Sequence, residues 1–117
     1  YGDGLNERDW LYVDDHCSAL QAVLERGQAG EIYNVGAGEQ RTNREVTMSI
    51  LHSFGLGESS IEYVDDRPGH DRRYAVDASK LHELGWRPQS DFAERLASTI
   101  AWYRENADWW RPLRGAA

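Results

Sequence analysis

Hydrophobic positions along the chain follow two rhythms, alternating in short runs and recurring every third or fourth residue in longer ones. Together they predict the order β-α-β-α-β, a loop, and two further helices. Arg8–Val13 (Arg-Asp-Trp-Leu-Tyr-Val) is aromatic and β-branched and predicts a short strand after the turn residues Gly2-Asp3-Gly4-Leu5-Asn6. Asp14 or Asp15 is placed to cap a helix whose apolar face is Ala19, Leu20, Val23 and Leu24, and Gly27 ends it. Glu31–Val35 predicts a second strand running into Gly36-Ala37-Gly38. Thr42-Asn43-Arg44-Glu45 is a capping box, with Val46, Ile50, Leu51 and Phe54 on one helical face and Gly55 as the stop. Ile61–Val64 alternates as a strand, and Tyr74-Ala75-Val76 reads as extended. Asp77 caps a short helix through Leu84, Gly85 ends it, and Pro88 bars easy continuation. A second capping box, Asp91 with Glu94, opens the last helix, where Phe92, Leu96, Ile100 and Tyr103 form a stripe expected to be buried. Residues 107–117 read as a loosely ordered tail. The whole is an α/β organisation without internal repeats.

Composition narrows the class. The chain has 117 residues, one domain's worth or a piece of something larger, with 40% hydrophobic and 28% charged residues, as in a soluble globular protein. It begins at Tyr1-Gly2-Asp3-Gly4 without an initiator methionine and reads as an excerpt from a longer polypeptide. No apolar run approaches the roughly 18 residues a membrane helix needs. The single cysteine, Cys17, excludes an intramolecular disulfide framework and fits a reducing, cytoplasmic setting. It falls within a predicted amphipathic helix, where a buried structural thiol is the expectation. The net charge of −7 argues against nonspecific nucleic-acid binding. The four histidines and Cys17 have no metal-ligand spacing, so no metal site is expected.

One stretch concentrates candidate chemistry. Asp65-Asp66-Arg67-Pro68-Gly69-His70-Asp71-Arg72-Arg73-Tyr74 holds three arginines and a histidine around a Pro-Gly step. Proline presets one dihedral of a tight turn and glycine accepts a positive φ, so Arg67 and His70 are presented from a fixed frame. Arginine grips phosphate or carboxylate through paired hydrogen bonds. The competing reading is a solvated loop whose arginines pair with Asp65, Asp66 and Asp71. Arg8, taken alone, is a surface arginine or a partner of Asp9. Gly36-Ala37-Gly38 is not a dinucleotide fingerprint, because Arg41 stands where a third glycine belongs. The helix start at Thr42-Asn43 favours an anion through its free amides and dipole, although any helix start does.

Tyr1-Gly2-Asp3-Gly4-Leu5-Asn6-Glu7-Arg8-Asp9-Trp10-Leu11-Tyr12-Val13-Asp14-Asp15-His16, Tyr33-Asn34-Val35-Gly36 and Asp66–Tyr74 stand in an order that resembles the signatures of nucleotide-sugar-modifying extended short-chain dehydrogenases. The Arg-Pro-Gly-His-Asp-Arg-Arg-Tyr form is similar to that of dTDP-glucose 4,6-dehydratases and some near relatives. The resemblance runs from Tyr1 to about Trp110. It implies an α/β fold: the C-terminal lobe of such an enzyme, a small mixed sheet with helices, with residues 1–117 as the substrate-binding domain and the NAD-binding Rossmann domain outside this chain. It also implies a lyase of deoxysugar formation that holds a dTDP-sugar between the two domains, uses NAD, and forms a homodimer. By the same resemblance Arg8 binds the phosphate region and Asn43 contacts substrate. Asp66, Arg67, Pro68, Gly69 and His70 wrap the diphosphate end, with Arg67 as its ligand. Tyr74 is a further contact, and Asn34 a weaker candidate. The hydride-transfer machinery is missing from the sequence: the only lysine, Lys80, has Val76 four residues before it, and no glycine-rich NAD loop occurs. No residue is therefore expected to be catalytic or to bind cofactor. The same lobe of a nucleotide-sugar 4-epimerase or decarboxylase, a non-catalytic nucleotide-sugar-binding module, or an inert truncation product are the alternatives.

Overall fold

The computed structural model describes residues 1–89 and 91–115. The elements run β1 (Glu7–Asp9), α1 (Val13–Arg26), β2 (Gln40–Thr42), α2 (Asn43–Ser53), α3 (Ser79–Glu83), α4 (Phe92–Glu105) and α5 (Ala107–Trp110). β1 and β2 form an antiparallel pair with Glu7 opposite Thr42, Arg8 opposite Arg41 and Asp9 opposite Gln40. On the other side of β1, a parallel bridge joins Glu7 to Arg73. Its bonds run from Glu7 N–H to the Arg72 carbonyl (2.8 Å) and from Tyr74 N–H to the Glu7 carbonyl (3.0 Å). The sheet is thus small and mixed, and the arginine-rich loop is stitched to it.

Several predicted strands do not form ladders. The first is shorter than expected, because Val13 already belongs to α1. Glu31–Val35 and Ile61–Val64 form no ladder with a strand among the described residues, Tyr74–Val76 meets β1 only through the Tyr74 N–H, and Ile32 is 82% exposed. A strand is completed by its neighbour's backbone groups, which local sequence does not supply.

The core sits between α1 and α3: Ala19, Ala22, Leu81 and Trp86, flanked by Leu11, Val23, Val35 and Leu84. The small alanines let Leu81 and Trp86 approach α1 closely, and the Trp86 indole donates to the Ser18 hydroxyl at 2.9 Å. Burying Leu81 completely contributes about 1.5–3 kcal/mol. The expected apolar face of α1 is only partly right. Leu20 and Leu24 point away from the core, 53% and 87% exposed, and Val13 and the Cys17 thiol are exposed with them. At about 100° per residue these positions form one stripe opposite Ala19 and Ala22. Cys17 is therefore not a buried structural thiol. Neither Asp14 nor Asp15 caps the helix; its N-cap is Tyr12, and both aspartates lie in the first turn.

The Thr42 capping box forms in full. Thr42 Oγ1 accepts from Glu45 N–H at 3.1 Å, and a Glu45 carboxylate oxygen accepts from Thr42 N–H at 2.7 Å. Val46 is buried, but Ile50 is about a third exposed and Phe54 half exposed. Asp91 caps α4 by accepting from Glu94 N–H at 2.9 Å, without a return bond from Glu94 among the described residues. No residue of α4 is buried. Phe92, Leu96, Trp102 and Tyr103 instead line an open cleft of about 830 Å³ with Trp10, Tyr12, Val46 and Ile50. Asp77 does not cap α3 from the N-cap position, which is Ala78, but its Oδ1 accepts from Ser79 N–H at 2.8 Å. The supposed loose tail is ordered as α5 and a 3-10 turn over Arg111–Gly115, with Trp109 edge-on to Trp102. Residues 116 and 117 lie outside the described residues.

Candidate functional site

Arg67-Pro68-Gly69-His70 closes a tight turn: Gly69 has φ +70° and His70 N–H donates to the Arg67 carbonyl at 3.3 Å. Pro68 and Gly69 occupy the positions a type II turn assigns them. The Asp66 carboxylate steadies the turn from outside, its Oδ1 accepting from Arg67 N–H (2.9 Å) and from His70 Nδ1–H (2.7 Å). The histidine bond, then that backbone amide, hold the Asp66 carboxyl below its usual pKa. The His70 side chain is almost wholly buried.

β1 delivers Arg8 to this turn. Arg8 Nη2 donates to His70 Nε2 (2.9 Å) and to the Asp71 carbonyl (3.0 Å), while Nη1 donates to the Glu7 carbonyl (2.6 Å). The guanidinium carbon stands 4.3 Å from the centre of the Tyr74 ring, in cation–π geometry. The Tyr74 hydroxyl donates to the Asp71 carboxylate. That bond holds the phenol above its ordinary pKa, while the positive charges of Arg8 and Arg67 both act on it in the opposite direction. Arg8, from β1, is thus seated between Tyr74 and the turn that carries Arg67. Among the described residues nothing hydrogen-bonds to the Arg67 side chain.

The solvated-loop alternative named particular pairs, and they are not the pairs formed. Arg72 bridges to Asp3 (2.8 Å) and Arg73 to Glu7 (3.2 Å), whereas Asp66 holds His70 and Asp71 holds Tyr74. Arg8 does not pair with Asp9. Asn43 opens α2, and its N–H donates to the Asn6 carbonyl at 3.0 Å, beside the strand that carries Arg8. Asn34 lies apart, donating to the Asp77 carbonyl at 3.1 Å.

Sequence reasoning missed two residues here. Asp71 supplies the carbonyl that orients Arg8 and the carboxylate that holds Tyr74. Asn6, placed among turn residues by its neighbours, is 1% exposed and donates to the Asp71 carbonyl at 3.1 Å. Its signal in the sequence was only an amide immediately before a strand.

Gly36-Ala37-Gly38 already binds an anion of the chain itself. Asp9 accepts from Ala37 N–H at 3.0 Å and from Gly38 N–H at 3.3 Å. A side chain at Gly36 would meet Asp9 Oδ2 at 2.5 Å. The loop then enters an antiparallel strand instead of a helix, so these residues do not fit a dinucleotide pyrophosphate. Lys80 is engaged by Glu31 and lies over the Tyr33 ring at 4.8 Å. Among the described residues no cluster of His, Cys, Asp and Glu could hold a metal ion, and no helix is long and apolar enough to cross a membrane.

Comparison with known proteins shows the family of the chain. The family model described as GDP-mannose 4,6 dehydratase matches residues 1–99, and the chain belongs to that family. Within it, the chain is 53% identical to a dTDP-glucose 4,6-dehydratase of Streptomyces antibioticus over 115 residues, covering 97% of this chain and 34% of that protein. The solved dTDP-glucose 4,6-dehydratase of Streptomyces venezuelae, with NAD bound, superposes with a TM-score of 0.92 at 54% identity, over 97% of this chain and 35% of that one. A UDP-glucose 4-epimerase of Thermotoga maritima, with UDP-glucose, is more distant: TM-score 0.83 and 30% identity, over 92% and 34%. The chain thus spans about a third of the length of these relatives, matching their C-terminal part.

Proposed function

We propose that residues 1–117 form the nucleotide-sugar-binding domain of an NAD-dependent dTDP-glucose 4,6-dehydratase and hold the diphosphate of a dTDP-sugar. The docking of Arg8 onto His70, in the same tight turn that carries the Arg67 side chain, carries this reading. A diphosphate presents several anionic oxygens, and two forked guanidinium groups match them better than point charges do. Asn43 adds a side-chain donor at the start of α2, whose first backbone amides are already bonded within the chain. Asp66, Pro68, Gly69 and His70 shape the turn from which Arg67 projects, and Tyr74 seats Arg8. Net charge of −7 does not oppose this, because local donors decide the contact.

In the proposed enzyme C4 of the hexose is oxidised, water leaves across C5 and C6, and the hydride returns to C6. This chain supplies no reacting group. Its part is to anchor the nucleotide, and positioning of that kind is worth on the order of 7–11 kcal/mol of barrier. The higher identity to dehydratases than to the epimerase favours dehydration over 4-epimerisation.

The domain's proposed partner is the Rossmann domain of the same enzyme, itself a homodimer in the cytoplasm. The exposed Val13, Leu20 and Leu24 stripe and the unpaired Glu31–Val35 segment support a covering partner, since such surfaces are rarely left open. Calorimetric titration with dTDP tests the binding role. Saturable binding that weakens in Arg67→Ala is expected, and no heat at millimolar nucleotide would refute it.

A further inference from the structure

We infer that Asn6 is a positioning residue for the candidate diphosphate site, the buried joint through which the arginine-rich loop, Arg8 and the start of α2 share one geometry. The inference rests on the diphosphate reading above.

An amide buried from water is costly unless its bonds are made inside the protein. Asn6 is 1% exposed and spends its bonds on the site. Its Nδ2 donates to the Asp71 carbonyl at 3.1 Å, the same oxygen that receives Arg8 Nη2 at 3.0 Å. A carbonyl oxygen only accepts, so this contact also fixes which way the amide faces. The Asn6 backbone carbonyl takes the Asn43 N–H at 3.0 Å, and the Gly4 carbonyl takes the Arg44 N–H at 2.8 Å. One residue thus holds the loop with its side chain and the first amide of α2 with its backbone, two positions before Arg8. The Asn6 Oδ1 is buried and makes no bond among the described residues. For stability alone a half-satisfied amide is an expensive choice. What it secures is the place of the Asp71 carbonyl, and through it the guanidinium of Arg8.

The test titrates the chain with dTDP in Asn6→Asp, Asn6→Ala, Arg8→Ala and the corresponding double variants, with amide exchange followed at Tyr74. Loss of one oriented hydrogen bond predicts about fivefold to tenfold weaker binding in both single Asn6 variants. Acting through Arg8, the same changes are expected to alter affinity less than about twofold in the Arg8→Ala background. Exchange of the Tyr74 amide, bonded to Glu7, is expected to accelerate as the loop loosens. Wild-type affinity in the Asn6 variants overturns the inference while leaving the diphosphate reading intact. So does an undiminished loss in the Arg8→Ala background, which would mark a general structural role. Loss of cooperative unfolding in both Asn6 variants assigns the residue to the fold alone and overturns it as well. Failure of the unaltered chain to bind dTDP refutes the diphosphate reading, and the inference with it.

Discussion

Arg8 Nη2 lies 2.9 Å from His70 Nε2, and that contact fixes the chemistry of the histidine. A guanidinium has no lone pair to offer, so Nε2 must be the acceptor and the ring's proton must sit on Nδ1, facing Asp66 at 2.7 Å. His70 is thereby a spacer between a carboxylate and a guanidinium, not a free base. In the neutral imidazole, nitrogen-15 spectra are expected to report the Nδ1–H tautomer. Finding the Nε2–H tautomer would break the arrangement.

Arg67 is expected to matter for ligand and hardly at all for folding. Its guanidinium makes no hydrogen bond among the described residues, so Arg67→Ala should leave stability within about 0.5 kcal/mol. Affinity for dTDP should fall at least about tenfold, as expected when a charged hydrogen-bonding group is removed. A denaturation curve and a titration on the same sample separate the two; a destabilised variant with unchanged affinity contradicts the assignment.

Acid should loosen the loop. The folded-state pKa of Asp66 is lowered by His70 and the Arg67 amide, and that of Asp3 by its bond to Arg72. A carboxylate whose folded pKa is depressed contributes stability that is complete above its unfolded value, near the usual carboxylate pKa, and is lost as pH falls through the folded value. Loop order is therefore expected to persist at neutral pH and decay only below the ordinary carboxylate range. Carbon-13 titration of the two carboxyl groups checks the direction, and midpoints above the normal aspartate value would contradict it.

The capping box at α2 should be separable from the site chemistry. Thr42→Ala removes the acceptor for Glu45 N–H and should cost about 0.5–2 kcal/mol in urea unfolding. Gly36→Ala should cost about 1–3 kcal/mol, because its new methyl would overlap Asp9 and Val76. A neutral result at Gly36 would mean that the Asp9 contact yields easily.

The two faces of α1 offer a contrast. Leu20→Ser and Leu24→Ser should change stability by less than about 0.5 kcal/mol and reduce any self-association of the chain, because both side chains are exposed. Ala19→Leu should be destabilising, since Ala19 is wholly buried in the core. Sedimentation and chemical denaturation test both, and equal losses on the two faces would contradict the observed orientation.

Local chemistry was legible in the linear sequence because its causes are local. Thr42 and Glu45 are three residues apart and need only each other to start α2. Pro68 and Gly69 carry their turn in their own dihedral preferences. Tertiary structure decided the rest. Periodicity placed Leu20 and Leu24 on an apolar face, but only the approach of Leu81 and Trp86 chose the alanine side of α1 for the core. The runs at Glu31–Val35 and Ile61–Val64 look like strands, yet neither forms a ladder with a strand among the described residues. The site is divided in the same way. Its residue types were readable in order along the chain, whereas the joining of Arg8 to His70 spans 62 positions, and Asn6 became significant only once folding buried it beneath Asp71. Hydrogen bonds over such separations depend on the whole backbone path, which residue spacing does not encode.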